Sequence, residues 1–475
     1  ANGATIDVQA LDDADLTTAA VGVGVAAGGN VAVQGAAATA LINKDTEASM
    51  NGVIINKASE QDNSGADVTV EASSSNDIVT TADTVSVMAG GTGAAVGAGV
   101  AVNRSEANVN ALVSGGTMNV DDLAVRAANS ANITTVGVGG SVAGGTGAGV
   151  TGSVAVNMIG NGTTAKIDGG SDITASNNVI VAASGDESIA NYAGSASVAV
   201  TGAAVGLSVS VNEIASETHA SIEGDETKVS AEGNGDTEKV KDSVEDDQIL
   251  DNFVDEDAFN SAASLADTRK DSEYSGVAVS ASSTHTIKSF LVNGGVAGKG
   301  AAVNGTVNVN SIGGSTSAAI RGADINANAA SVGNVHVVAH DYANSAGIVG
   351  TANGTLAGAA VGLGSDTNTV SRDVSAEVLG KGTADSNGRY ALKNTVNADK
   401  LSVDAEAKQG ISSLTTGISA AAVGAGVSNA TSVALLEGKT TAQINGTAVS
   451  AASLDVTSDH TAKMNTLGVA VGASE

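Results

Sequence analysis

The sequence of 475 residues contains no cysteine, no proline and no tryptophan, and only three phenylalanines and four tyrosines. The absence of cysteine excludes a disulfide framework and any cysteine-ligated metal site. Because proline is absent, every residue can donate its backbone N–H, as internal β-strands require. With so few aromatic rings, any interior must be built from Val, Ala, Ile and Gly.

Positive charge is also scarce: 21 Lys and Arg stand against 51 Asp and Glu, which gives a net charge of −30. This charge disfavours nucleic acid and anionic lipid as partners. We expect no enzyme, because the sequence lacks G-x-S-x-G and H-E-x-x-H motifs and the aromatic platforms that polysaccharide-cleaving β-helices use. His336 and His340 share one face of the predicted strand "VHVVAH", about 13 Å apart, so we expect exposed histidines rather than a metal site.

Two motifs recur along the chain. The first reads T/V-x-A-x-I/V/M-x-G, and its alanine and glycine define seven predicted structural repeat positions: Ala48 and Gly52, Ala111 and Gly115, Ala165 and Gly169, Ala220 and Gly224, Ala318 and Gly322, Ala376 and Gly380, and Ala442 and Gly446. The second reads V/I/L-x-V-x-A, with these central valines: Val8, Val70, Val125, Val181, Val279, Val337, Val403 and Val456. A large apolar residue follows eight residues after the central valine in every copy except the sixth, which has Ser345.

The spacing between the motifs is nearly constant. From the first residue of the second motif to the next motif glycine is 45 to 47 residues, as from Leu123 to Gly169. Only the joins between blocks vary, and they cover 53–67, 116–122, 170–178, 225–276, 323–334, 381–400 and 447–453. Since every insertion enters at the same seam, we predict a solenoid of about seven repeats of 54–66 residues, in which each repeat contacts only its neighbours.

Both motifs alternate apolar and polar residues at period two, which indicates strands. A glycine-rich stretch lies between them, such as "TVGVGGSVAGGTGAGVTGSVAVN" at 135–157. It suggests three other interpretations: a membrane span, a nucleotide-binding loop and a flexible linker. We reject the span because Leu, Ile and Phe are scarce, and the linker because the pattern recurs in every block. The G-x-G-x-x-G within it is followed by another strand-like segment, whereas a nucleotide loop opens a helix. We expect two strands of small residues joined by a glycine corner.

The fold class that follows is all-β, a parallel β-helix, with an antiparallel solenoid built from hairpins as the alternative. A repeat of 54 or 55 residues suggests two coils of about 27 residues each and, with strands about 4.8 Å apart, a rod on the order of 70 Å long. Asn103, Asn157, Asn212 and Asn310 each precede a motif alanine by eight residues, and we expect them at corners, stacked as an amide ladder.

The join at 225–276 separates two solenoid regions, 1–224 and 277–475, and differs from both. It holds 16 acidic against 5 basic residues, and apolar residues at helical spacing predict one or two amphipathic helices. A possible recognition surface comprises Ile249, Leu250, Phe253, Val254 and Phe259. We predict no cofactor; calcium is the one candidate, but "DDQILDNFVDED" lacks the glycine and spacing of an EF-hand loop.

The segments "GAGVAVN", "TTAKIDGG" and "NVIVAAS", taken in order, make the chain resemble the repeat region of bacterial type V secreted exoproteins, especially leukotoxin-like filamentous adhesins of the filamentous haemagglutinin group. The resemblance implies export, an extracellular or cell-surface location, and a stalk or adhesive role; it carries over no functional residue. Both ends fall within a repeat, so we expect this chain to belong to a longer polypeptide. The predicted function is a non-catalytic surface segment whose partners are the rest of that chain and a host or neighbouring cell. The alternative is a subunit that stacks end to end into a filament.

Overall fold

The computed structural model describes residues 4–28, 31–55, 65–244, 269–327, 329, 331–390 and 393–474. These residues form strands and connecting turns, without a helix among them. The strands of the first half are β1 (Thr5–Ala27), β2 (Ala32–Asn51), β3 (Ile54–Ile55), β4 (Ala66–Ser114), β5 (Thr117–Ile159), β6 (Gly162–Asp168), β7 (Asp172–Ala175), β8 (Val179–Glu223) and β9 (Lys228–Ala231). Those of the second half are β10 (Glu238–Val244), β11 (Arg269–Tyr274), β12 (Val277–Arg321), β13 (Asp324–Ile325), β14 (Val335–Leu379), β15 (Asn394–Ala421), β16 (Gly424–Glu437), β17 (Thr440–Asn445) and β18 (Thr447–Ser474).

All strands except β10 and β11 pair in parallel within one sheet whose pairings close into a ring. Equivalent residues of successive repeats are direct neighbours: Val70 pairs with Val125, and Val125 with Val181. The all-β, parallel, solenoid-like part of the fold prediction is therefore confirmed. The antiparallel alternative is wrong for the main sheet.

The register corrects the predicted coil number. Val70 and Val125 are 55 residues apart and lie one strand spacing apart, so each repeat makes one coil rather than two. From the coil of β1 to that of β18 there are seven such steps, or on the order of 35 Å at about 4.8 Å per step. The prediction of 70 Å was wrong because the sequence gives the repeat length but not the number of times the chain folds within it.

Each coil has a broad end, which we call the triangular core. In the coil of β4 it receives Val68 and Val70 from one wall, Val109 and Ala111 from the opposite wall, and Met118 from a short third side. The third side is built from the joins, because β3, β7, β9 and β13 lie within them and stack on one another through β5 and β15. The common seam predicted for the insertions is thus confirmed, and it contributes structure rather than only loops.

In the rest of each coil, which we call the arm, the same two walls continue and lie face to face. We call the wall that comes earlier in the chain the first wall and the one that returns the second wall. In β4 the first wall of the arm runs over 74–89, a glycine turn follows at Gly90 and Gly91, and the second wall returns over 95–105. Thr80 Oγ1 donates to Asn103 Oδ1 across the gap at 2.6 Å. The predicted pair of strands joined by a glycine corner is confirmed.

The base of the arm holds a layer of buried isoleucines that includes Ile78, and Met88 is buried near its tip in β4. Between them the walls are so close that most inward residues are small or polar. In β4 the inward side of the second wall carries Ala95, Gly97, Gly99 and Ala101, all buried, whereas Val100 points outward and is exposed. Along this stretch of the second wall the larger apolar side chains point outward and the smallest ones inward, so the usual apolar-inside arrangement of a sheet is reversed there.

A continuous asparagine ladder runs through the arm. Asn103 donates to Asn157 Oδ1, Asn157 to Asn212, Asn212 to Asn310 and Asn310 to Asn368, over 2.7 to 2.8 Å. All five side chains are fully buried. The predicted ladder is confirmed, but its predicted position at a corner is wrong, since these residues lie within strands.

Candidate functional site

The repeat positions predicted from the sequence form two columns at the triangular core. Ala48, Ala111, Ala165, Ala220, Ala318 and Ala376 are at most 2 % exposed, and Ala442 in the terminal coil is partly buried. Each alanine is buried among the larger apolar side chains of the three sides, in a closely packed cluster.

The motif glycines lie where the second wall turns into the third side. Six of the seven have positive φ, with values from 64° to 110°: Gly52, Gly115, Gly169, Gly224, Gly322 and Gly446. Gly380 is the exception, because its turn is displaced to Gly382, where φ is 74°. Gly115 N donates to Asp168 O of the next coil, so the turns are themselves hydrogen-bonded into the stack. These columns are structural.

The described part of the acidic insert contributes β9 to the third side and then forms an antiparallel hairpin of β10 and β11. It covers an outward apolar patch of the first wall that includes Ile180, Ala278 and Val338, with Val240 and Tyr274 packed on them. Residues 249–265, which contain the predicted helix and the candidate recognition residues Ile249, Leu250, Phe253, Val254 and Phe259, lie outside the described residues.

Polar contacts fasten the hairpin to the wall. The buried carboxylate of Asp242 accepts hydrogen bonds from the hydroxyls of Tyr274, Ser272 and Ser280. Burial and the neighbouring Asp242 charge raise the pKa of the Tyr274 hydroxyl, so it stays protonated and donates.

The hairpin also covers the two histidines that we expected to be exposed, and that expectation was wrong. His340 is 9 % exposed; its Nδ1 lies 2.8 Å from Asp242 O, and its Nε2 lies 3.2 Å from Asp404 Oδ2. Burial alone would lower the pKa of His340, but the hydrogen bond to Asp404 and the Asp242 charge raise it. His336 has no such partner, so burial and then the Lys400 charge lower its pKa to about 4. A sequence pattern cannot show that a distant hairpin will cover a strand.

A buried ionic network occupies the boundary between the triangular core and the arm. It comprises Glu187 of β8, His285 of β12, and Asp341 and Arg372 of β14, of which all but Glu187, at 3 %, are fully buried. Arg372 Nη2 lies 2.7 Å and its Nε 3.0 Å from Asp341 Oδ2. His285 Nδ1 approaches Glu187 Oε2 to 2.9 Å, an ion contact that lacks the alignment of a hydrogen bond.

The remaining donors of Arg372 are satisfied by hydroxyls and by backbone carbonyls. Its Nη2 also donates to Thr316 Oγ1 at 3.1 Å and to Ser283 Oγ at 3.3 Å. Its Nη1 donates to the carbonyls of Ser216 and Gly313, both at 2.6 Å. Gly314 takes the equivalent position in the adjacent coil and Ser216 in the coil before that, and these small residues leave space for the guanidinium group. With His285 protonated, two positive and two negative charges cancel inside the core.

The pKa shifts agree with this charge balance. Burial would raise the pKa of Asp341, but the Arg372 charge and the contact with His285 hold it well below its usual range. Burial and the Arg372 charge would lower the pKa of His285, but the Glu187 charge and the contact with Asp341 outweigh them and raise it. Geometry of this kind stabilises one arrangement of the coils. The four side chains are at most 3 % exposed, so the network is shielded from solvent.

Three carboxylates meet on the surface near the seam. Asp67 opposes a bulge that holds Asp121 and Asp122, and their oxygens lie within 4.8 Å of one another. Ser176 donates to Asp121, and Asn177 Nδ2 and the Asn178 backbone N–H donate to Asp122. Burial raises the pKa of Asp122 despite these hydrogen bonds. The cluster already has protein donors, and nothing else in the described residues points to a cation there.

Comparison with known proteins returns no relative. The chain matches no protein family, no curated protein and no solved structure. Within the described residues, no helix has the length and apolar character needed to cross a membrane.

The ionic network was missed from the sequence although a signal for it exists. Counting in steps of two from the buried Val181 and Val279 marks Glu187 and His285 as inward, each two residues before a buried isoleucine. Asn368 could also have been found, since it precedes Ala376 by the same eight residues as the other ladder members. Arg372 lies on the opposite wall, and no local pattern shows that it meets Asp341.

The raised pKa of His285 predicts a pH-dependent stability. The folded chain holds this proton more tightly than the unfolded chain, so the stabilisation is complete below about pH 6.5 and is lost as the pH rises through the raised value. In urea unfolding at pH 6 to 9, the difference in free energy of unfolding between the unsubstituted chain and His285→Gln should therefore shrink as the pH rises. The exposed His219→Gln variant is the control and should follow the unsubstituted chain at every pH. A difference that is constant or grows with pH would contradict the assignment.

Proposed function

We propose that this chain is a non-catalytic, surface-exposed β-solenoid segment of a large secreted bacterial adhesin or fibre. The observation that carries the proposal is the unbroken parallel register from β1 to β18, in which each coil lies directly on the one before it. Such a stack resists bending and separates its ends by a set distance, as a stalk requires. The resemblance of "GAGVAVN" and "TTAKIDGG" to filamentous adhesin repeats supports an extracellular location.

The seam favours presentation of variable elements. All joins leave the stack on one side, and the longest carries the hairpin of β10 and β11 on the wall. Variation there leaves the paired strands unchanged, so the seam is the place where contacts with a host or neighbouring cell would be made.

The alternative is a subunit that stacks end to end into an extracellular filament. Among the described strands, β1 pairs only with β4 and β18 only with β15, so each terminal coil has one strand edge that can pair further. That edge suits the continuing polypeptide or another copy equally well.

The proposal is tested with antibodies raised against this chain and applied to the bacterium that makes it. We expect a native polypeptide far heavier than 45.5 kDa that protease removes from intact cells while a cytosolic marker survives. A native mass near 45.5 kDa together with end-to-end polymers in electron micrographs supports the alternative. Protection from protease until the cells are lysed would overturn both.

A further inference from the structure

The second wall of the arm presents an outward surface that we call the valine face. It consists of the outward residues in the segments 96–102, 150–156, 205–211, 303–309, 361–367 and 427–433, which pair in register from coil to coil. One column across these six coils is entirely valine: Val96, Val150, Val205, Val303, Val361 and Val427. Of the 24 outward positions, 15 are valine and none is charged.

Strand formation does not require valine at these positions. Threonine has the same shape and also favours strands, and on a solvated face it would keep the protein soluble. Thr367 and Thr431 take outward positions in the last two coils, which shows that the sheet accepts them. A contiguous apolar surface of this size on a soluble protein marks an interaction site.

The charge distribution limits what can cover the face. The chain carries a net charge of −30, yet the valine face carries no charge. The face therefore has no acidic group to attract a basic partner. Two copies can approach each other there without bringing like charges into contact. A bilayer surface is a poorer fit, because interfacial binding uses Trp, Tyr, Lys and Arg, and none of these lies on the face. The opposite face of the arm is less uniform and includes Asp83 and Lys288.

The area of the face is sufficient for a dimer. Four outward positions at about 6.6 Å along the strand and six coils at about 4.8 Å give roughly 26 by 29 Å, or about 750 Å² per copy. Two copies face to face would bury about 1,500 Å², within the range of about 1,200–2,000 Å² found for stable interfaces. Flat sheets with valine columns can interdigitate and exclude water between them, as paired sheets do elsewhere.

We infer that the valine face is a lateral interface through which two copies of this chain associate, sheet against sheet. This contact is sideways, so it is independent of end-to-end stacking and of whether the chain is exported. It would bundle solenoids side by side.

The inference is tested by sedimentation velocity of the chain at 1 to 100 µM, with two matched substitutions in β12. Val307 on the valine face is 38 % exposed, and Val292 on the opposite face of the same coil is 40 % exposed. We expect a dimer of the 45.5 kDa chain, at least tenfold weaker dimerisation for Val307→Lys, and no change for Val292→Lys. Val307→Thr, which retains shape and strand preference, should weaken association while circular dichroism stays unchanged. Raising NaCl from 50 to 500 mM should strengthen the dimer, because it screens the repulsion between acidic copies.

Several results would overturn the inference. These are a monomer at every concentration, an effect of Val292→Lys in place of Val307→Lys, or a dimer that forms only after residues 245–268 are deleted. The last result would mean that residues 245–268 of the same chain, rather than a second copy, cover the valine face. None of these outcomes bears on cell-surface exposure, which the protease experiment measures separately.

Discussion

Replacing Arg372 with methionine is expected to lower the free energy of unfolding by roughly 3–5 kcal/mol. The substitution retains the apolar stem but leaves the fully buried Asp341 without the guanidinium that donates to it from 2.7 and 3.0 Å. The two backbone carbonyls that accept from Arg372 Nη1 also lose their donor. Removing one partner of a buried pair is costly because the other charge cannot return to water.

Urea unfolding followed by circular dichroism measures this effect. Arg321→Met is the matched control: Arg321 is 47 % exposed in its side chain and has ion pairs at 3.4 and 3.6 Å, so its loss should cost at most about 1 kcal/mol. The double variant Arg372→Met with Asp341→Asn should recover much of the loss, since Glu187 and a protonated His285 then remain as a neutral pair. Equal costs for Arg372→Met and Arg321→Met would show that the buried network contributes little.

Replacing Gly358 with alanine is expected to cost roughly 3–5 kcal/mol. Gly358 lies at the corner of the arm with φ of 135°, in a column with Gly202, Gly300 and Gly424, whose φ values are 132°, 125° and 137°. A Cβ at Gly358 would lie 1.8 Å from Gly300 O of the adjacent coil. Because that contact is with backbone, one coil would have to move away from the next.

Gly354→Ala provides the control for this prediction within the same strand. Gly354 points outward, has no atom within 4 Å of a built Cβ and no positive φ, so alanine there should leave stability unchanged or raise it by up to about 1 kcal/mol. Thermal and urea unfolding of both variants distinguishes the cases. A Gly358→Ala variant as stable as Gly354→Ala would mean that the corner column is not closely packed.

The buried network and the glycine corner make different contributions to one property, the alignment of coils. Glycine corners let backbones of adjacent coils approach closely, but they do not distinguish one register from another. Glu187, His285, Asp341 and Arg372 belong to three successive coils, and a slip by one residue would turn each of them outward or leave it unpaired. The asparagine ladder also favours a single register, because its side chains pair from coil to coil within the arm. The ladder ends where Ala40 and Ala434 take the equivalent positions.

The sequence alone determined which residues are equivalent from coil to coil. Its motifs are separated by nearly constant lengths, so Val70, Val125 and Val181 had to occupy one column, and every extra residue had to leave at the seam. Period-two alternation also established that the elements are strands, and the asparagine spacing established the ladder.

Only the tertiary structure decided which face of each strand is inside. In the triangular core the motif valines point inward, but in the arm Val100, Val154 and Val307 point outward while Ala, Gly, Ser and Asn fill the gap. Alternation shows that the two faces of a strand differ, but it does not show which face is covered. Which face is covered depends on how sharply the glycine corner folds the second wall back onto the first. The meeting of Arg372 with Asp341 across that gap follows from the same closure. The cover of His340 depends instead on the β10–β11 hairpin, which packs on the outer side of the first wall and whose Asp242 lies 98 residues earlier in the chain.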